Sequence, residues 1–167
     1  MSIRFNGQLF STHAGQTLEV KDAAAFSDYA RAHKLKNDVP EDILKGNIQR
    51  TIALLKAIYA KLGCTAEITS FFRGTVLNSA VGGKVKPPSA HMDGRAVDSI
   101  PQGVSVQDAF DKLKPLADEL EFDQLIIEHD RHGNTWLHSS VAADGKKPRK
   151  MAFALEKQPV PDRYEKG

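Results

Sequence analysis

Three side chains of this sequence have the chemistry of metal ligands. His91 and Asp98 stand within Ser89-Ala-His-Met-Asp-Gly-Arg-Ala-Val-Asp98, with Gly94 between them to let the backbone turn. His138 follows inside Thr135-Trp-Leu-His-Ser139. Two imidazoles and a carboxylate are ordinary zinc ligands, and a three-ligand site leaves a fourth position for water or substrate, the arrangement of catalytic zinc. Structural zinc is normally closed by four protein ligands rich in cysteine, and the chain has one cysteine, Cys64. The pattern therefore points to a catalytic metal site, not a structural one.

Hydrolysis at such a centre needs a group that moves protons beside it. Gln124-Leu-Ile-Ile-Glu-His129 reads as a strand and Asn134–Val141 as its partner, joined by Arg131-His-Gly133 as a three-residue hairpin loop closed by a left-handed glycine. Asp130 then faces Asn134, Glu128 faces Trp136 and Ile126 faces His138. The two-residue period of strands puts Glu128, Trp136 and His138 on one face. Glu128 is thus the first candidate for general base. A slip of one residue would turn it away and bring His129 round.

The remaining elements must hold these strands. Residues 1–20 alternate loosely and suggest one or two short edge strands, and Lys21–His33 suggests a short helix. The clearest helix carries Ile48, Ile52, Leu55, Ile58, Tyr59 and Leu62 at spacings of three and four, ending at Gly63. Ala66–Phe72 and Arg95–Ile100 read as strands, the latter sending Ala96 and Asp98 to one face and Val97 to the other. Ser105 with Asp108 caps a further helix that Pro115 must kink or split. The expected fold is a single α+β domain: a small antiparallel sheet bearing the zinc site, with helices packed on its other face.

The pattern Ser-x-His-x-x-Gly-x-Ala-x-Asp followed by Trp-x-His resembles the zinc D-Ala-D-Ala carboxypeptidases and their relatives: cell-wall dipeptidases, L-alanyl-D-glutamate endopeptidases and many phage endolysins. Val39-Pro-Glu-Asp-Ile43 and Asn47, Ile68-Thr-Ser-Phe-Phe-Arg73 with Leu77-Asn78, Val81-Gly-Gly83 and Phe122–Glu128 fall in that family's order. The resemblance implies a zinc peptidase domain over residues 39–155, preceded by an extension, 1–38, packed on it and followed by a tail, 156–167. It implies one zinc ion on His91, Asp98 and His138, and hydrolysis of a peptide bond in the peptidoglycan stem peptide. Arg73, Ser89 and Trp136 are the expected substrate-side residues. The Arg73 guanidinium would capture a peptide carboxylate, Ser89 would brace the ligand loop, and Trp136 would wall the cleft. Phe71 and Phe72 stand where relatives have glycine and tyrosine. Thr135 stands where many relatives carry an acid; others use a histidine upstream, which makes His132 the second candidate for the base.

Composition narrows the function classes. At 167 residues, 41% hydrophobic and 26% charged, the chain has ordinary globular proportions, and no apolar run approaches a membrane span. The net charge of +2 with no aromatic-studded basic stripe does not suggest a nucleic-acid partner. Lys146-Lys-Pro-Arg-Lys150 reads as a solvated loop, and Cys64 as a small buried residue. Met1–Gly15 lack an apolar signal core, so the expectation is a monomer made in the cytoplasm that acts on the cell wall after release, as an endolysin does. Two rival readings stand beside it: a carboxypeptidase trimming terminal D-Ala, and a zinc-stabilised binding or virion module without hydrolysis.

Overall fold

Short segments drawn from both ends and the middle of the chain pair into a single mixed sheet. The computed structural model describes residues 2–84 and 86–156; the remainder of the expected tail, 157–167, lies outside them. Eight strands, β1 (Ile3–Phe5), β2 (Phe10–Thr12), β3 (Thr17–Leu18), β4 (Ala66–Ser70), β5 (Ala96–Pro101), β6 (Gln124–His129), β7 (Thr135–Ser140) and β8 (Met151–Glu156), lie in the order β3-β2-β1-β4-β5-β7-β6-β8. Every pair is antiparallel except β6 with β8. The sheet is larger than expected. Residues 3–18 supply three locally paired strands where one or two were expected, and β1 joins them to β4, a contact across sixty residues that short-range pattern cannot reveal.

Helices cover one face. Helix α4 (Asn47–Leu62) buries Ile48, Ile52, Leu55, Ile58, Tyr59 and Leu62, as its spacing predicts, and stops at Gly63, whose φ of +66° suits glycine and whose N–H donates to Tyr59 O. Alternation sends Val97, Leu137, Ile127 and Leu125 into the same core as Leu55 and Ile58. Full burial of each such aliphatic side chain contributes roughly 1.5–3 kcal/mol. Helix α6 (Val106–Leu113) adds Ala109, Phe110 and Leu113, with the Ser105 side chain accepting from Asp108 N. Pro115 then falls in a 3-10 turn, and α7 (Ala117–Leu120) follows, so the proline splits the helical pattern as expected. No helix among the described residues is long and apolar enough to cross a membrane.

One helical expectation needs correction. Lys21–His33 is two short helices, α1 (Val20–Ala24) and α2 (Asp28–Ala32), because Ser27 caps the second and bridges to Ser70. After Pro40 a further short helix, α3 (Glu41–Lys45), forms, and Gly46 separates it from α4. The basic loop is partly spent on the fold: Arg149 grips Asp123 and Lys150 bonds Asp118.

Candidate metal centre

The metal-ligand candidates on strands occupy one row of the sheet. Ser70 of β4 pairs with Asp98 of β5, Asp98 with His138 of β7, and His138 with Ile126 of β6. Their face is the one opposite the helices, since Val97 and Leu137 take the core side. A register irregularity between Ile68 and Ser70 leaves Thr69 out of the ladder and brings Ser70 opposite Asp98. Bulges of this kind re-aim side chains near functional sites.

His91 comes from a 3-10 turn, Ala90–Asp93, between the last helix before the site, α5 (Thr75–Ala80), and β5. Ser89 caps that turn, its Oγ accepting from His91 N at 3.3 Å. His91 Nδ1 lies 2.7 Å from the Phe71 carbonyl oxygen, which only an N–H can satisfy. The proton is therefore on Nδ1, and Nε2 carries a lone pair. Nε2 is buried without a hydrogen-bond partner among the described residues, yet faces Asp98 Oδ1 at 3.3 Å. His138 Nδ1 lies 3.1 Å from the same oxygen. The ligand atoms of the three residues all fall within 4.8 Å of one another. Two lone-pair atoms facing each other in a buried pocket are what a cation would bridge, so the donor set fits a bound metal ion.

Electrostatics agree with that fit. Burial pushes the His91 imidazole down to about 4, helped by Arg73 and opposed by Asp98, so the ring is neutral near pH 7. Burial alone would raise the Asp98 carboxyl, but His91 and His138 outweigh it and hold it well below the usual carboxylate range. A neutral imidazole and an ionised carboxylate are the ligating forms.

The ligand turn is fastened to the first turns of α4. Asn47 Nδ2 donates to Asp93 O at 3.0 Å, and Thr51 Oγ1 to Gly94 O at 2.7 Å. Gly94 has φ +72°, and a Cβ there would stand 2.7 Å from Ile43 Cγ2 and 2.9 Å from Ile48 Cδ1. Only glycine fits, for both reasons.

The predicted hairpin is present. Asp130 N donates to Asn134 O, Gly133 has φ +82°, and Glu128 pairs with Trp136 while Ile126 pairs with His138. Glu128 is buried, with Oε1 3.7 Å from His138 Nδ1. Trp136 is half-buried beside it, its Nε1 buried without a hydrogen-bond partner among the described residues. His132 sits exposed at the hairpin tip, next to Arg131, and His129 turns away to Thr135. Glu128 is thus the candidate base that the fold brings to the centre. Arg73, expected at the substrate, is only 5% exposed; its Nη2 donates to Asp98 Oδ2 at 3.0 Å and its Nε to Ser70 Oγ at 3.2 Å.

A family model described as Peptidase M15 matches residues 18–136, most of the chain. The chain belongs to the peptidase M15 family. The match includes His91, Asp98 and Glu128 and ends at Trp136, so it is the β5–β7 register that brings His138 to the other two. No curated protein and no solved structure matches the chain. M15 peptidases are zinc-dependent metallopeptidases, and His91, Asp98 and His138 form the group in this chain that could hold the ion. Sequence reasoning missed two supports. The Phe71 carbonyl has no sequence signature because it is backbone, and Thr51 looks like any polar residue on a helix until its 2.7 Å bond to the ligand turn is seen.

Proposed function

We propose that this chain is a zinc endopeptidase of the lytic, endolysin type, hydrolysing a peptide bond in the peptidoglycan stem peptide. The observation that carries the reading is the convergence of His91, Asp98 and His138 with buried Glu128 beside them, in a chain of the M15 family. When bound, zinc supplies Lewis acidity, polarising the scissile carbonyl and making water acidic enough to attack near neutral pH. His91 presents Nε2, fixed by the bond from Nδ1 to Phe71 O; Asp98 presents Oδ1, its other oxygen held by Arg73. Glu128 takes a proton from the attacking water at its carboxylate and returns it to the leaving amine. Trp136 offers an apolar wall beside Glu128.

The endopeptidase reading is favoured over the carboxypeptidase because Arg73, the cation expected to receive a terminal carboxylate, is engaged with Asp98. The test is digestion of purified peptidoglycan by zinc-loaded protein with mass spectrometry of the fragments, Glu128→Gln alongside. New internal stem-peptide ends, lost in the variant, support the reading. Release of single terminal D-Ala residues would make the protein a carboxypeptidase. Zinc binding with no cleavage of any muropeptide would leave a binding module.

A further inference from the structure

The segment Ser70–Gly74 touches both metal-ligand candidates that precede β6. Phe71 O accepts from His91 Nδ1, Arg73 N donates to His91 O at 3.0 Å, and the Arg73 guanidinium spans Asp98 Oδ2 and Ser70 Oγ. Arg73 therefore contacts one ligand through its backbone and another through its side chain. With 5% of its surface exposed, it has little left to offer a substrate. Its fork holds Oδ2 and leaves Oδ1 as the oxygen that faces both histidines, which is the way an outer partner makes a carboxylate bind through one oxygen.

The segment is itself clamped from the N-terminal region. Asn37 Nδ2 donates to Phe72 O at 2.8 Å and to Ala25 O at 2.9 Å, while its Oδ1 accepts from Gly74 N at 2.8 Å. The peptide groups on both sides of Arg73 are thus fixed by one side chain. Phe71 N and Phe72 N donate to Phe26 O and Ala24 O, adding two backbone ties from the same region. We infer that Arg73 is a positioning residue for the metal ligands, held in place by Asn37, and that residues 24–37 are part of the scaffold of the centre. Arg73 is then not the receptor of a substrate carboxylate. The inference rests on the metallopeptidase reading of the centre, but its first readout needs no turnover.

The experiment compares full-length wild type with Arg73→Gln, Arg73→Lys and Asn37→Ala. Zinc affinity is measured by competition with a chromogenic chelator. Hydrolysis is measured on a stem-peptide fragment ending in a free carboxylate and on the same fragment amidated at that end. Arg73→Gln should weaken zinc binding roughly 10- to 100-fold, the usual cost of losing an outer partner of a ligand. Arg73→Lys, a point charge without the fork, should fall between, and Asn37→Ala should weaken binding in the same direction. The ratio of kcat/KM between the two fragments should stay at the wild-type value in every variant. Unchanged zinc affinity in Arg73→Gln, or a loss confined to the carboxylate fragment, would overturn the inference. Should Arg73→Gln fail to fold by circular dichroism, the other two variants carry the same affinity test. Wild type that binds zinc but cleaves neither fragment would count against the proposed function alone, and the affinity series would still decide the role of Arg73.

Discussion

Gly94→Ala tests whether the ligand turn is held as tightly as its contacts require. At φ +72° an alanine sits in the left-handed region, costing about 1–2 kcal/mol relative to glycine. Its Cβ would also meet Ile43 Cγ2 at 2.7 Å and Ile48 Cδ1 at 2.9 Å, and forcing a methyl into a packed contact costs typically about 1–3 kcal/mol. The expected total is about 2–5 kcal/mol, a large share of the stability of a domain this size. Gly103→Ala is the internal control. Gly103 has φ +85° but nothing within 4 Å of where a methyl would stand, so it should show the conformational cost alone. Urea unfolding of both variants, with and without zinc, separates the two contributions, and zinc affinity should fall only for Gly94→Ala because its turn carries His91. Equal destabilisation of the two variants, with zinc affinity intact, would refute the claim that Ile43 and Ile48 fasten the turn.

Glu128→Gln should lower turnover about 10²- to 10⁴-fold while retaining zinc and the unfolding midpoint; metal analysis alongside kinetics checks it, and parallel loss of zinc would move Glu128 from base to ligand support. Trp136 is the chain's only tryptophan and adjoins Glu128 in the ladder, so its emission should change on adding zinc or a peptide fragment, and a spectrum blind to both would place the ligand elsewhere. Asp123 is buried; burial opposes its ionisation, but bonds from the Arg149 side chain and backbone hold the carboxyl below its ordinary value. Its folded pKa is depressed, so the stability it contributes is present above the unfolded value near 3.8 and lost as pH falls through the folded one. Asp123→Asn should therefore cost about 1 kcal/mol at pH 7, discounted because Arg149 is 58% exposed, and the gap to wild type should close in acid unfolding titrations as the carboxyl protonates.

The parts of the site legible in the sequence were those set by local rules. The hairpin followed from Asp130, Gly133 and the two-residue period, and the register they impose is what places Glu128 diagonal to His138. Helix α4 was legible because its stripe keeps one spacing for four turns. Arg73 was visible as a residue, but its partner was not: which cation faces which carboxylate depends on the skipped Thr69 in β4 and on Asn37. The helix break at Phe26–Ser27 was likewise hidden, because Phe26 O is bound to Phe71 N, a tertiary bond that overrides the helical propensity around Ala23–Ala25. Short strands in residues 1–20 were legible from their alternation, but the docking of β1 on β4 and the parallel β6–β8 pair are long-range, and short-range pattern does not carry that information.

The Asp98–His138 pair joins strands separated in the chain by α6, α7 and β6, so forming it closes a long loop. Non-local strand pairing of this kind comes late and slowly in folding. On the proposed reading, a zinc ion held by His91, Asp98 and His138 would meet all three only after β5 and β7 have paired, too late to act as a template for that step. The kinetic consequence is one-sided: saturating zinc should leave the refolding arm of a chevron where it is and lower the unfolding arm. At a free zinc concentration a hundred times Kd the stabilisation is about 2.7 kcal/mol, which would appear as unfolding slowed by about a hundredfold.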